Sequence, residues 1–86
     1  MDILAKITVR NFIKKIIPRE AGKIYFNFNF SKNEGTALVR GELLSFEASE
    51  KEKKLVAKLP FSYLSGFWDA ENGLGTIILD EKKIEI

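Results

Sequence analysis

The chain has no cysteine and no histidine. Without cysteine there are no disulfides, no thiolate nucleophile and no cysteine-ligated zinc. Without histidine there is no imidazole acid or base, no Ser-His-Asp triad and no histidine metal ligand. A long apolar run is also missing from residues 1–20, where charges recur every few positions. That stretch reads as neither signal peptide nor membrane span, and the expectation is an intracellular, cytoplasmic chain.

What is present fits one domain, residues 1–86. The hydrophobic fraction is 45% and the charged fraction 30%, both ordinary for a globular fold. Seven Phe, two Tyr and one Trp supply the bulky apolar surface that so short a chain needs to close a core. Domains of this size are marginal without staples, so a homodimer is expected. The formal net charge of +2 hides an asymmetry. Residues 1–32 hold seven basic and two acidic side chains, and the remainder is weakly acidic. Such a bias can mark a surface for a polyanion, or a solvated outer strand face.

Alternation dominates the pattern. Ile3, Ala5, Ile7 and Val9 oppose Leu4, Lys6, Thr8 and Arg10, which argues for a half-buried strand. On a helical wheel the apolar residues of 3–17 scatter, so strand is preferred over helix, with a bulge near Asn11. Pro18 and Gly22 bracket a turn. Lys23–Ser31 is the clearest strand, with Ile24, Phe26, Phe28 and Phe30 opposite Tyr25, Asn27, Asn29 and Ser31. A turn at 32–35 makes a hairpin with Thr36–Gly41. Glu42–Ala48 reads as a further strand. The charged run 49–54 reads as a solvated hairpin tip, although Ser49 and Glu52 have capping-box spacing. Leu55–Leu59 follows as a strand closed by Pro60. After the aromatic segment 61–68 come a turn at 69–75, a short strand at 76–79 and a terminal strand at 84–86. No internal repeat is evident. The expected class is all-β, a small antiparallel barrel or sandwich of five to seven short strands.

No catalytic constellation stands out, and no cofactor is implied. Asp69 and Glu71 could in principle bind a metal or move a proton, but turn acids of this kind are usually structural, and no enzyme is expected. The more informative feature is cations beside aromatic and amide side chains on outward faces. Lys6, Arg10, Lys14, Arg19 and Lys23, with Tyr25 for stacking and Asn27 beside it, have the chemistry of a single-strand binder. The bland reading of Tyr25 is a cross-strand prop. A second cluster, Phe61, Tyr63, Phe67 and Trp68, suits an interface or a core under a loop.

The Arg19-x-x-Gly22-Lys23-x-Tyr25 stretch, leading into an alternating strand, resembles the first hairpin of small OB-fold single-stranded-DNA-binding proteins of phages and plasmids. The carboxyl-terminal layout, an aromatic segment and a glycine-containing turn before Gly75-Thr76-Ile77-Ile78-Leu79-Asp80, is similar to that family's. The resemblance implies an OB-like barrel that binds single-stranded DNA, with Arg19, Lys23 and Tyr25 at the ligand-facing hairpin. The competing expectation is a protein-interaction module, such as a phage or mobile-element inhibitor or an assembly adaptor.

Overall fold

A computed structural model describes residues 3–59 and 61–86. The elements run α1 (Ile3–Ile16), β1 (Lys23–Asn29), β2 (Glu34–Val39), β3 (Glu42–Phe46), α2 (Glu50–Val56), β4 (Tyr63–Asp69), β5 (Leu74–Leu79) and β6 (Lys82–Glu85). All six strands form one sheet in the order β3-β2-β1-β4-β5-β6, and each pairing is antiparallel. The expectation of an antiparallel β domain holds for most of the chain, but two helices stand where the expected class was all-β. The sheet stays open, with β3 and β6 as free edges, so the expected barrel does not close. No helix among the described residues is long and apolar enough to cross a membrane.

The first element corrects the sequence reading. Residues 3–16 are helical, not extended. Val9, Phe12, Ile13 and Ile16 stand at i, i+3, i+4 and i+7, a true helical stripe, and Val9, Phe12 and Ile13 are fully buried. Ile3, Leu4 and Ile7 lie on the solvent side and blur that stripe when every apolar residue is counted alike. As a strand this segment would send Phe12 and Ile16 to the face opposite Val9, Ile13 and Ile17, whereas the helix turns all five toward the core. Ile17 closes the last turn by donating to the Ile13 carbonyl at 2.9 Å, and the extended Pro18 prevents a further one.

The charged run 49–54 is the second correction. It opens α2 rather than capping a hairpin. Ser49 Oγ accepts from the Glu52 N–H at 3.2 Å, and Glu52 Oε1 accepts from the Ser49 N–H at 2.7 Å. This reciprocal box satisfies two otherwise orphaned donors. Residues 55–59, expected as a strand, instead finish this helix and its exit turn. The closing role expected of Pro60 lies outside the described residues.

Both helices cover one face of the sheet. There Ile24, Phe26, Phe28, Ala37, Leu64, Trp68, Ile77, Leu79 and Ile84 join Val9, Phe12 and Ile13 in a single core. Phe28 is its hub. Its ring meets Phe12 edge-on at 5.4 Å and Phe46 at 5.8 Å, so it links α1, β1 and β3. Gly35 makes this possible, because a Cβ there would lie 2.7 Å from the Phe28 ring. Aromatic pairs of this geometry add about 0.5–1.5 kcal/mol beyond the area they bury.

The chain is also a repeat, which its sequence had hidden. Lys23–Asn29 and Tyr63–Asp69, Glu34–Val39 and Leu74–Leu79, and the starts of β3 and β6 at Glu42 and Lys82 all stand 40 residues apart. Turn hydrogen bonds repeat with the same spacing. Asn29 Oδ1 accepts from the Lys32 N–H, as Asp69 Oδ1 does from the Asn72 N–H. Phe30 donates to the Ser62 carbonyl and Ala70 to the Gly22 carbonyl. Left-handed residues recur at Asn33 and Gly73, and at Arg40 and Asp80. Across the β1–β4 seam, Phe26 pairs with Gly66, its own counterpart, so an approximate two-fold axis passes between them. Two helix-strand-strand-strand units are thus joined back to back.

Candidate functional site: the open face of the sheet

Strand alternation fixes what the helices leave uncovered. With Ile24, Phe26 and Phe28 turned inward, Lys23, Tyr25, Asn27 and Asn29 point outward. From β2 and β3 come Glu34, Thr36, Leu38, Leu43 and Ser45, and from β4 Tyr63, Ser65, Phe67 and Asp69, each in register with an outward residue of its neighbour. Leu74, Thr76 and Ile78 of β5 face Lys83 and Glu85 of β6 or Asp69 of β4 on the same side.

This face is unusually apolar for an uncovered surface. Tyr25, Leu38, Leu43, Tyr63, Phe67, Leu74 and Ile78 are all exposed on it, Leu43 at 71%. Tyr25 and Phe67 are cross-strand partners whose rings lie 3.6 Å apart between centroids. Charge is sparse and nearly balanced, with Lys23 and Lys83 against Glu34, Asp69 and Glu85. A depression of about 360 Å³ lies beside the aromatic pair, floored by Asn27, Thr36 and Ser65 and walled by Tyr25, Leu38 and Tyr63. Asn27 Nδ2 donates to Thr36 Oγ1 at 2.8 Å, which fixes the amide against that floor.

The structure divides the predicted site residues. Lys23, Tyr25 and Asn27 share the open face. Lys6, Arg10 and Lys14 do not, because they belong to α1, in the layer behind the sheet. Arg10 is half-buried, and its Nε donates to the Gly73 carbonyl at 2.9 Å, fastening α1 to the β4–β5 turn. Arg19 sits in the short 3-10 turn between α1 and β1. The aromatic cluster divides as well. Tyr63 and Phe67 are exposed on the open face, Trp68 is 1% exposed in the core, and Phe61 is half-buried against it. The expected aromatic loop is in fact mostly strand β4, so alternation sends Phe67 outward and Trp68 inward. The Trp68 Nε1–H has no hydrogen-bond partner among the described residues.

Leu38, Leu43, Leu74 and Ile78 were missed as site residues. Only the outward parity of their strands marks them, and that requires knowing the register. Asp69 and Asp80 each hold a turn. Asp69 accepts from both the Asn72 side chain and its backbone N–H, which lowers its pKa below the ordinary carboxylate value. Asp80 Oδ1 accepts from the N–H groups of Ser62 and Tyr63. Among the described residues no three acids gather as a metal site. Comparison with family models, with curated proteins and with solved structures finds no match to this chain.

Proposed function

We propose that this chain is a protein-interaction module that works through the open face of its sheet. One observation carries the reading: seven large apolar side chains are exposed together on a face whose charges nearly cancel. Soluble proteins rarely leave such a patch uncovered without a partner for it. Tyr and Phe at its centre supply contact area at small entropic cost, as in binding hot spots.

Single-stranded nucleic acid is the competing ligand, and the Tyr25–Phe67 pair would serve it as a stacking platform. Phosphate contacts supply most of the affinity in such complexes. Of the predicted cations, Lys6, Arg10 and Lys14 lie on α1, across the sheet from the platform, and Lys23 is left beside it. The electrostatics therefore favour protein over nucleic acid.

Two full-length variants separate the readings. In a nuclease-treated lysate, Phe67→Asp is expected to lose the partner retained by the unmodified chain. The double variant Lys6→Glu, Lys14→Glu is expected to keep it. Salt-dependent binding of a labelled oligonucleotide, lost in the helix variant and kept by Phe67→Asp, would overturn the proposal.

A further inference from the structure

The geometry points to a second copy of this chain as the occupant of the open face, packed sheet to sheet about a two-fold axis that runs across the strands. The assignment rests on that face being the association surface, and it names the partner. Its basis is the strand register, which arranges the face as a ridge beside a trough.

The ridge is Leu43, Leu38, Tyr25 and Phe67, four side chains directly abreast on β3, β2, β1 and β4. Two residues along each strand lies the trough, Ser45, Thr36, Asn27 and Ser65, again abreast on the same strands. The depression of about 360 Å³ is where that trough deepens, in front of Gly66. Large side chains in one row and small ones in the next, repeated over four strands, form a surface complementary to itself.

A two-fold axis lying between the rows and perpendicular to the strands sets each strand over itself in the second copy. It places Tyr25 over Asn27, Phe67 over Ser65, Leu38 over Thr36 and Leu43 over Ser45, each ridge entering the other copy's trough. The same operation carries β6 over β6. There Glu85 is abreast of Thr76, and Lys83 of Ile78, two residues away along the strand. Glu85 of one copy then meets Lys83 of the other, twice. An axis along the strands would instead set β3 against β6 and β1 against β4, leaving Leu43 opposite Glu85, Ser45 opposite Lys83 and Tyr25 ridge to ridge on Phe67. Size and charge both select the first arrangement.

The extent of the face suits such a contact. Six strands about 4.8 Å apart and about six residues long span roughly 600 Å² in projection. A corrugated surface of that span exposes more, close to the roughly 800 Å² that each partner gives to a standard interface. Face-to-face packing of two twisted sheets about 10 Å apart is a common solution to a bare apolar face. The arrangement is isologous and closes on itself, which limits assembly to a dimer.

Sedimentation of the purified full-length chain tests this. A dimer in the micromolar range is expected. Lys83→Glu and Glu85→Lys should each weaken it roughly tenfold, because two exposed pairs turn from attraction to repulsion. Mixing the two variants in equal amounts should restore a heterodimer, since every clash between copies becomes a match, while the loss of the Lys83–Glu85 pair within each chain is the same before and after mixing. A chain that stays monomeric, or a mixture no tighter than either variant alone, would overturn the assignment. The broader reading would survive a monomer whose capture of another protein still fails in Phe67→Asp. If Phe67→Asp alters neither self-association nor capture, the open face itself is wrong.

Discussion

The two halves of the molecule share one architecture and have diverged in opposite ways on their two sides. Toward the helices, counterparts stay apolar: Ile24 and Leu64, Phe28 and Trp68, Ala37 and Ile77 are all buried. Toward solvent Thr36 still matches Thr76 and Leu38 matches Ile78, but other pairs part company. Tyr25 answers to Ser65, Asn27 to Phe67, Leu43 to Lys83 and Ser45 to Glu85. A shared core has to be filled from both sides, so it constrains composition. An uncovered face is constrained only by what it meets. Divergence there has put an apolar edge on one half and a charged edge on the other, and β6, with Lys82, Lys83 and Glu85, is the better guarded against stray strand pairing.

The largest test of this comparison is in the core. Phe28→Ala and Trp68→Ala remove counterpart side chains that are both almost wholly buried. Each is expected to cost about 3–5 kcal/mol by urea unfolding. If the halves form one cooperative unit, each variant lowers the same single transition. Two transitions, with one variant moving only one of them, would break the comparison.

A smaller effect is expected where the helices differ. α1 has 14 residues and α2 has 7, and the 40-residue spacing of the two units makes Arg10 and Glu50 counterparts. Arg10→Ala strips a charged donor from the Gly73 carbonyl and should cost about 1.5 kcal/mol. Glu50→Ala removes only an exposed pair with Lys53, for which about 0.5 kcal/mol or less is expected. The difference between the two, measured in one denaturant series, sharpens the claim that α1 is fastened to the other half.

The smallest effect concerns pH. Asp69 and Asn29 hold counterpart turns, but only Asp69 titrates. Its folded-state pKa lies below the ordinary 3.8, through hydrogen bonds from Asn72. The turn's contribution is therefore complete above that ordinary value and lost as pH falls through the lower folded-state value. Asp69→Asn should lower neutral stability slightly, by the contribution of the ionised carboxylate, and flatten the acid limb of a pH-stability curve. An unchanged acid limb would remove Asp69 from the account.

The sequence made the first hairpin legible because Ile24, Phe26 and Phe28 alternate cleanly against Tyr25, Asn27 and Asn29, and a turn follows. It misled at α1, where Ile3, Leu4 and Ile7 add apolar residues on a side that packs against nothing in the sheet layer. The repeat escaped notice because it survives as burial and turn geometry rather than residue identity. Gly35-Thr36 and Gly75-Thr76 are its plainest trace in letters. The cations could be counted but not placed. Once Lys6, Arg10 and Lys14 fall on a helix, they no longer share a surface with Tyr25. The apolar face needed the register of β3 to β6, which no local pattern specifies.

The most direct test asks which surface is covered when the chain associates. Ile3, Leu4 and Ile7 on the outer side of α1 are the rival apolar patch. Hydroxyl-radical footprinting across a concentration series reads both at once. Oxidation of Tyr25, Tyr63 and Phe67 is expected to fall as association proceeds, while that of Ile3, Leu4 and Ile7 stays level. Protection confined to α1, with the three aromatic residues unchanged, would contradict the account.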